Sequence, residues 1–154
     1  ESRYDMRLRP ATAHDAKAIA DIHAAGWRLG LSEILPAELI DAWIGRMPHA
    51  WGRSISVSRG AITVAVDGEQ VAGFTSTELA RLWAIFVHPD YWGKAVGDLL
   101  FADAGQRCGP GLYLHSLRDN HRANRFYERQ GLRVVAELND MFFDYVVPSL
   151  IYAR

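Results

Sequence analysis

Apolar residues change their spacing several times along this chain, and each change marks an element. Met6 to Arg9 alternates apolar and charged side chains, the period of a strand, and Pro10 stops it. Thr12 reads as a helix N-cap, with Asp15 three residues on completing a near capping box. Ala16, Ile19, Ala20, His23 and Trp27 then recur at helical spacing, so one face of this helix is buried and Gly30 ends it. Pro36 suits the first turn of a second helix, Ala37 to Ile44, carrying Leu39, Ile40 and Trp43. Met47 to Arg59 is read as a third, loosely amphipathic helix.

From Gly60 the period shortens. Ile62, Val64 and Val66 alternate, Asp67-Gly68 signals a turn, and Val71, Gly73 and Thr75 resume the alternation, which predicts a β-hairpin. Leu82 to Val87 is a continuous apolar run closed by Pro89, the pattern of a strand buried on both faces. A helix is expected from Ala95 to Arg107, a break at Cys108-Gly109-Pro110-Gly111, and a strand from Leu112 to Leu117. Asn120 to Gln130 predicts another helix, with Gly131 in the position that ends it. Leu132 to Leu138 and Phe142 to Tyr152 finish as strands. Helices, hairpins and crossovers in this order predict an α/β fold with a mixed sheet, and one domain over residues 1–154. The five residues before Met6 read as a disordered or engineered start.

Composition narrows the function. A chain of 154 residues that is 49% hydrophobic and 23% charged can bury a sizeable core. Seventeen Lys and Arg against eighteen Asp and Glu leave a net charge of −1, with no footprint for nucleic acid or an anionic membrane. Cys108 is the lone cysteine, so an internal disulfide and a multi-cysteine metal site are both excluded. No apolar run approaches the roughly 18 residues of a membrane span. A cytoplasmic location is the expectation. The histidines lack metal-ligand spacing: His14 and His23 fall on opposite sides of their helix, and His49, His88 and His121 have no close Cys, Asp or Glu in register. His88, before Pro89, is expected to be exposed. No Gly-x-Ser-x-Gly elbow exists, and serine and cysteine hydrolase readings fall.

Two stretches carry the candidate chemistry. In the first, the strand Leu82–Val87 runs through His88-Pro89-Asp90-Tyr91-Trp92-Gly93-Lys94 into a helix at Ala95-Val96-Gly97-Asp98. Small residues let a backbone approach a ligand, and the free N–H groups of a helix start attract anions such as a pyrophosphate. Taken alone, Gly93 and Gly97 equally suit a tight turn and close packing. A P-loop is excluded because Ala95 follows Lys94 and position 88 is His; a dinucleotide fingerprint is excluded because Leu100 stands where a third glycine belongs. In the second stretch, Asn120, Ala123 and Tyr127 share a helix face, while Arg122, Arg125 and Arg129 lie elsewhere and are expected to be solvated.

Together these stretches resemble the GCN5-related N-acetyltransferase (GNAT) family over nearly the whole chain. The opening Arg9-Pro10-Ala11-Thr12 with Asp15, and the later Asn-x-x-Ala-x-x-Phe-Tyr-x-x-x-Gly from Asn120 to Gly131, match family patterns. The loop resembles the family's Gln/Arg-x-x-Gly-x-Gly/Ala motif, with Trp92 and Ala95 as departures. The resemblance implies a mostly antiparallel sheet, splayed where the cofactor inserts and flanked by helices. It further implies acetyl-CoA as co-substrate and no metal. Ile85, Phe86 and Val87 would pair with the pantetheine arm, backbone N–H groups of Gly93, Lys94, Ala95, Val96, Gly97 and Asp98 would cradle the pyrophosphate, and Asn120 would bond near the pantetheine. Tyr127 would sit by the sulfur as general acid.

Direct attack by a primary amine on the thioester is the implied reaction, with a small amine, an amino acid or a peptide N-terminus as acceptor. His115, five residues before Asn120, stands where one branch of the family carries a glutamate; it is a candidate base or a histidine packed in the sheet. Arg81 occupies a place where many relatives have an acid, so Glu78 or a water chain stays open as the base. An acceptor rim is drawn from Trp27, Leu29, Leu31, Ile34 and Leu35 with Met141, Phe142, Phe143 and Tyr145, residues that equally suit a core or a homodimer interface. Glu33, Asp140 and Asp144 are too few acids for a polycationic acceptor. The rival readings are a non-catalytic acyl-CoA sensor and a transferase using propionyl- or succinyl-CoA.

Overall fold

The structure, a computed structural model, describes residues 5–58, 61–142 and 144–154. Its frame is a seven-stranded sheet in the order β1-β2-β3-β4-β5-β7-β6. The strands are β1 (Met6–Pro10), β2 (Ile62–Asp67), β3 (Gln70–Glu78), β4 (Arg81–Val87), β5 (Tyr113–Leu117), β6 (Arg133–Phe142) and β7 (Tyr145–Ala153). All neighbours are antiparallel except β4 and β5. The helices are α1 (Ala16–Leu31), α2 (Ala37–Ser58), α3 (Val96–Cys108) and α4 (His121–Arg129). The mixed α/β architecture is the one the sequence pattern predicts, and its mostly antiparallel sheet is the one the family resemblance implies.

Local chemistry explains most boundaries. Asp15 accepts from the Thr12 N–H at 2.8 Å and pairs with Arg9 at 2.7 Å, so one buried carboxylate both caps α1's approach and ties it to β1. Gly68 takes a positive φ in the β2–β3 turn, and Gly131 takes one just past α4. At Gly26 a Cβ would stand 2.5 Å from the Phe86 ring, so only glycine lets α1 lie this close to β4.

One expectation fails in α2. Two helices were predicted for Ala37–Ile44 and Met47–Arg59, yet a single helix runs from Ala37 to Ser58 with Pro48 inside it; Arg59 lies outside the described residues. Ile40, Ile44, Met47 and Trp51 form one unbroken apolar stripe that packs against Ala20, Trp27, Leu31 and Leu35. That burial outweighs the backbone hydrogen bond that Pro48 cannot donate.

The sheet is interrupted where its orientation changes. β4 and β5 are parallel and pair only at Arg81↔Tyr113, with the Tyr113 N–H donating to Ala80 O at 3.1 Å. Beyond that point β4 stays on β3 as far as Gly73↔Val87, and β5 stays on β7 as far as Leu117↔Ser149. A bulge in β4 adds to the opening: Ser76 pairs with Ala84 and Thr77 with Leu82, leaving Trp83 as the extra residue. Each half of the sheet keeps its ladder while the seam opens.

Candidate active site

The open seam is the floor of a cavity of about 1280 Å³. All the candidate site residues line it except Lys94: Ile85, Phe86, Val87, Gly93, Ala95, Val96, Gly97, Asp98, His115, Asn120 and Tyr127. β4 is therefore not buried on both faces as expected. Ala84 to Val87 are half-buried because the edge facing β5 opens into the cavity, and Trp83 is exposed.

At one end the chain leaves β4, makes a short 3₁₀ turn at Pro89–Tyr91 and enters α3. His88 caps that turn by accepting from the Asp90 N–H at 3.0 Å, which half-buries a ring expected to be exposed. Gly93 and Ala95 both take left-handed backbone conformations, φ +74° and +64°. An L-residue in that region is strained by about 1 kcal/mol or more. Ala95 therefore keeps the shape that the motif's glycine adopts freely. The first internal hydrogen bond of α3 runs from Leu99 N–H to Ala95 O (3.1 Å), so the N–H groups of Val96, Gly97 and Asp98 precede it. A helix start of this kind carries partial positive charge and suits an anion.

Trp92, the other departure from the motif, has a structural task. Its indole N–H donates to Val87 O at 2.9 Å, and the Arg122 guanidinium lies over its ring at 3.3 Å. Arg122 is thus stacked, contrary to the expectation of a solvated arginine, and the loop is tied to β4 and α4 together. α3 and α4 meet closely: a Cβ at Gly97 would stand 3.2 Å from the Phe126 ring, and Gln130 donates to the Asp98 carboxylate at 2.6 Å.

α4 is held by a residue that the sequence reading passed over. Asn124 is buried; its Oδ1 accepts from Ser116 Oγ at 2.6 Å, and its Nδ2 donates to Leu117 O and Arg118 O at 3.2 and 3.0 Å. The signal was available, since Asn124 stands one helical turn after the capping Asn120 among aromatic neighbours. Asn120 accepts weakly from the Ala123 N–H at 3.5 Å. Tyr127 packs with Phe126 and Tyr152 on the far side of the seam, and burial, reinforced by Tyr152, pushes its phenol up to about 12. It keeps its proton throughout the neutral range.

The other end gathers residues from distant segments. His115 Nδ1 lies 3.7 Å from Asp140 Oδ2, across from β6. That is beyond hydrogen-bond distance, and the carboxylate faces the ring. Arg81 lies over the Trp83 ring at 3.3 Å, and exposed Glu78 also lines the cavity. His23, from α1, is enclosed by Trp27, Trp51, Phe74 and Phe86. Burial lowers its pKa to about 4, and its Nδ1 accepts from the Trp51 indole at 3.1 Å, so the neutral ring carries its proton on Nε2. Of the predicted rim, Trp27, Leu31 and Leu35 are core, Leu29 and Met141 are exposed on the cavity wall, and Phe143 lies outside the described residues. No group of three metal-ligating side chains occurs among the described residues, and no described helix is long and apolar enough to cross a membrane.

A family profile described as acetyltransferase (GNAT) domain matches residues 58–133, from the end of α2 through the seam and α4. Over those residues the chain matches the GNAT acetyltransferase family. Within that family it is similar to the peptidyl-lysine N-acetyltransferase YjaB of Salmonella typhimurium, 30% identical over 88 residues. The match covers 56% of this chain and 60% of that relative's length. The solution structure of apo YjaB from Escherichia coli superimposes with a TM-score of 0.83 at 21% identity, covering 96% of each chain. The PaiA N-acetyltransferase of Thermoplasma acidophilum, solved in complex with coenzyme A, gives 0.75 at 18% identity over 94% of this chain and 98% of its own. At such identities these two likenesses establish a shared GNAT fold.

Proposed function

We propose that this GNAT domain binds acetyl-CoA in the open seam and transfers the acetyl group to a primary amine. The observation that carries the reading is the seam itself: Tyr127 lines it from α4 and His115 from β5, with the helix start of α3 at one end. The residues fit the ligand. A strand edge freed beyond Arg81↔Tyr113 can receive an extended pantetheine arm at Ile85, Phe86 and Val87, and the turn at Gly93 to Asp98 offers N–H groups to a pyrophosphate. That the PaiA relative was solved in complex with coenzyme A supports coenzyme A as the ligand.

When bound, acetyl-CoA supplies an activated acetyl thioester. The chain's own residues do the rest. Backbone N–H groups near Val87 can stabilise negative charge on the attacked carbonyl oxygen. Tyr127, protonated at neutral pH, gives its proton to the departing sulfur. His115, facing Asp140, accepts a proton from the amine as the bond forms, and Asp140 stabilises the cation that results. A lysine amine, with an ordinary pKa near 10.4, needs such help more than an α-amine does. The name of the YjaB relative favours a peptidyl-lysine acceptor over a peptide N-terminus.

Calorimetric titration with acetyl-CoA, coupled to thiol release over a panel of amines, tests the proposal. Binding with release on one acceptor class is expected. Binding with no release on any amine would turn the reading toward a sensor, and no binding would reduce the likeness to fold alone.

A further inference from the structure

Arg81 is a cation in this cavity that the acetyl-transfer reading leaves unused. It lines the cavity at the closed end of the seam, and its guanidinium lies flat on Trp83. Its Nε is out of solvent contact with no hydrogen-bond partner among the described residues, and no ion pair holds the side chain there. Glu78 pairs with it in register across the β3–β4 turn, yet its side chain is exposed and makes no ion pair with Arg81 among the described residues. A guanidinium with an unmet buried donor, fixed on an aromatic ring and facing a cavity, is a site for a planar anion.

Its position relative to the reacting groups gives the anion's place. Arg81 pairs with Tyr113 across the last rung of the seam, so their side chains share a face. His115, two residues further along β5, lies on that face too, about 7 Å on along the strand; its ring stands 6.3 Å from that of Tyr113. An amine at His115 therefore has a cation one or two side-chain lengths away, on the same cavity lining. We propose that Arg81 selects acceptors in which a carboxylate accompanies the primary amine. The carboxylate accepts from the Arg81 fork beside Trp83, while the amine faces His115 and Asp140. This rests on the amine-acetylation reading and narrows its acceptor class. A free amino acid and a peptide with an acidic residue beside its lysine both present this chemistry.

Matched acceptors test it. Glycine is set against glycinamide, and a short peptide with Glu beside Lys against the same peptide with Gln, each titrated calorimetrically into wild type, Arg81→Gln and Arg81→Lys, with coenzyme A present and absent. Wild type is expected to bind the acid of one pair roughly 10- to 100-fold more tightly than its neutral partner. Arg81→Gln should erase that preference, and Arg81→Lys, which keeps charge without the flat fork, should keep part of it. The pair that discriminates identifies the source of the carboxylate. Equal affinity within both pairs in wild type overturns the inference even if a variant misfolds. A preference that survives in Arg81→Gln overturns it as well. Thiol release, followed in parallel, reports on acetyl transfer separately, because carboxylate selectivity is read from binding alone.

Discussion

At one end of the cavity, the turn from Trp92 to Asp98 and the adjoining face of α4 come from two continuous stretches of chain. Their geometry is set by local rules: two left-handed residues, a helix start, and a glycine where α3 meets Phe126. At the other end Arg81, His115 and Asp140 arrive on three different strands, with His23 added from α1. There the arrangement depends on sheet register and on a bulge at Trp83. Local construction makes the first end recognisable in the sequence. Non-local construction leaves the second to depend on single side chains brought together by the sheet.

The contrast can be tested, beginning with the largest effect. Tyr127→Phe should lower kcat by roughly 100-fold or more while acetyl-CoA still binds, as loss of a general acid does. Because the phenol lies near 12, its ionisation should leave no mark on a rate profile below about pH 11. Unchanged turnover would remove Tyr127 from the chemistry.

His23 probes the non-local end through stability. Its folded pKa is near 4 against 6.5 when unfolded, so the unfolded chain takes up the proton first as pH falls. The stabilisation is complete above about pH 6.5 and is lost on descending to about pH 4, roughly 3 kcal/mol in all. Urea unfolding of wild type and His23→Gln across this window should show the steeper loss in wild type. Parallel slopes would mean that the ring is not held neutral.

Asn124→Ala is a smaller blow to the junction between the two ends. It strips partners from Ser116, Leu117 and Arg118, and should destabilise by about 2 kcal/mol, lowering Tm. Smallest is Ala95→Gly at the local end. Relief of the left-handed strain should raise stability by about 1 kcal/mol at most, since glycine also frees the unfolded chain. Coenzyme A affinity should not fall. A destabilised Ala95→Gly would show that Ala95 makes packing contacts worth more than the strain.

What could be read from the sequence follows the same division. The β2–β3 hairpin, the glycine ending α4 and the turn into α3 were legible because each rests on a few consecutive residues. The single helix α2 was not, because Gly45, Pro48 and Gly52 mimic a break and only packing against α1 reveals the continuous stripe from Ile40 to Trp51. The Asp140 partner of His115 was equally hidden. It lies 25 residues away on β6, two strands over in a sheet order that places β7 between them. Asn124 is the intermediate case, local in sequence yet meaningful only once Ser116 is seen beneath it.

The aromatic walls have an optical consequence. All five tryptophans of the chain, Trp27, Trp43, Trp51, Trp83 and Trp92, line this one cavity. The intrinsic emission of the protein therefore originates almost wholly from the walls of this cavity. Trp92 sits at the turn into α3, Trp83 beside Arg81, and Trp27 and Trp51 around His23. Filling either end should quench or shift a different indole, so single Trp→Phe replacements would turn the chain into its own two-channel binding sensor, without any attached dye.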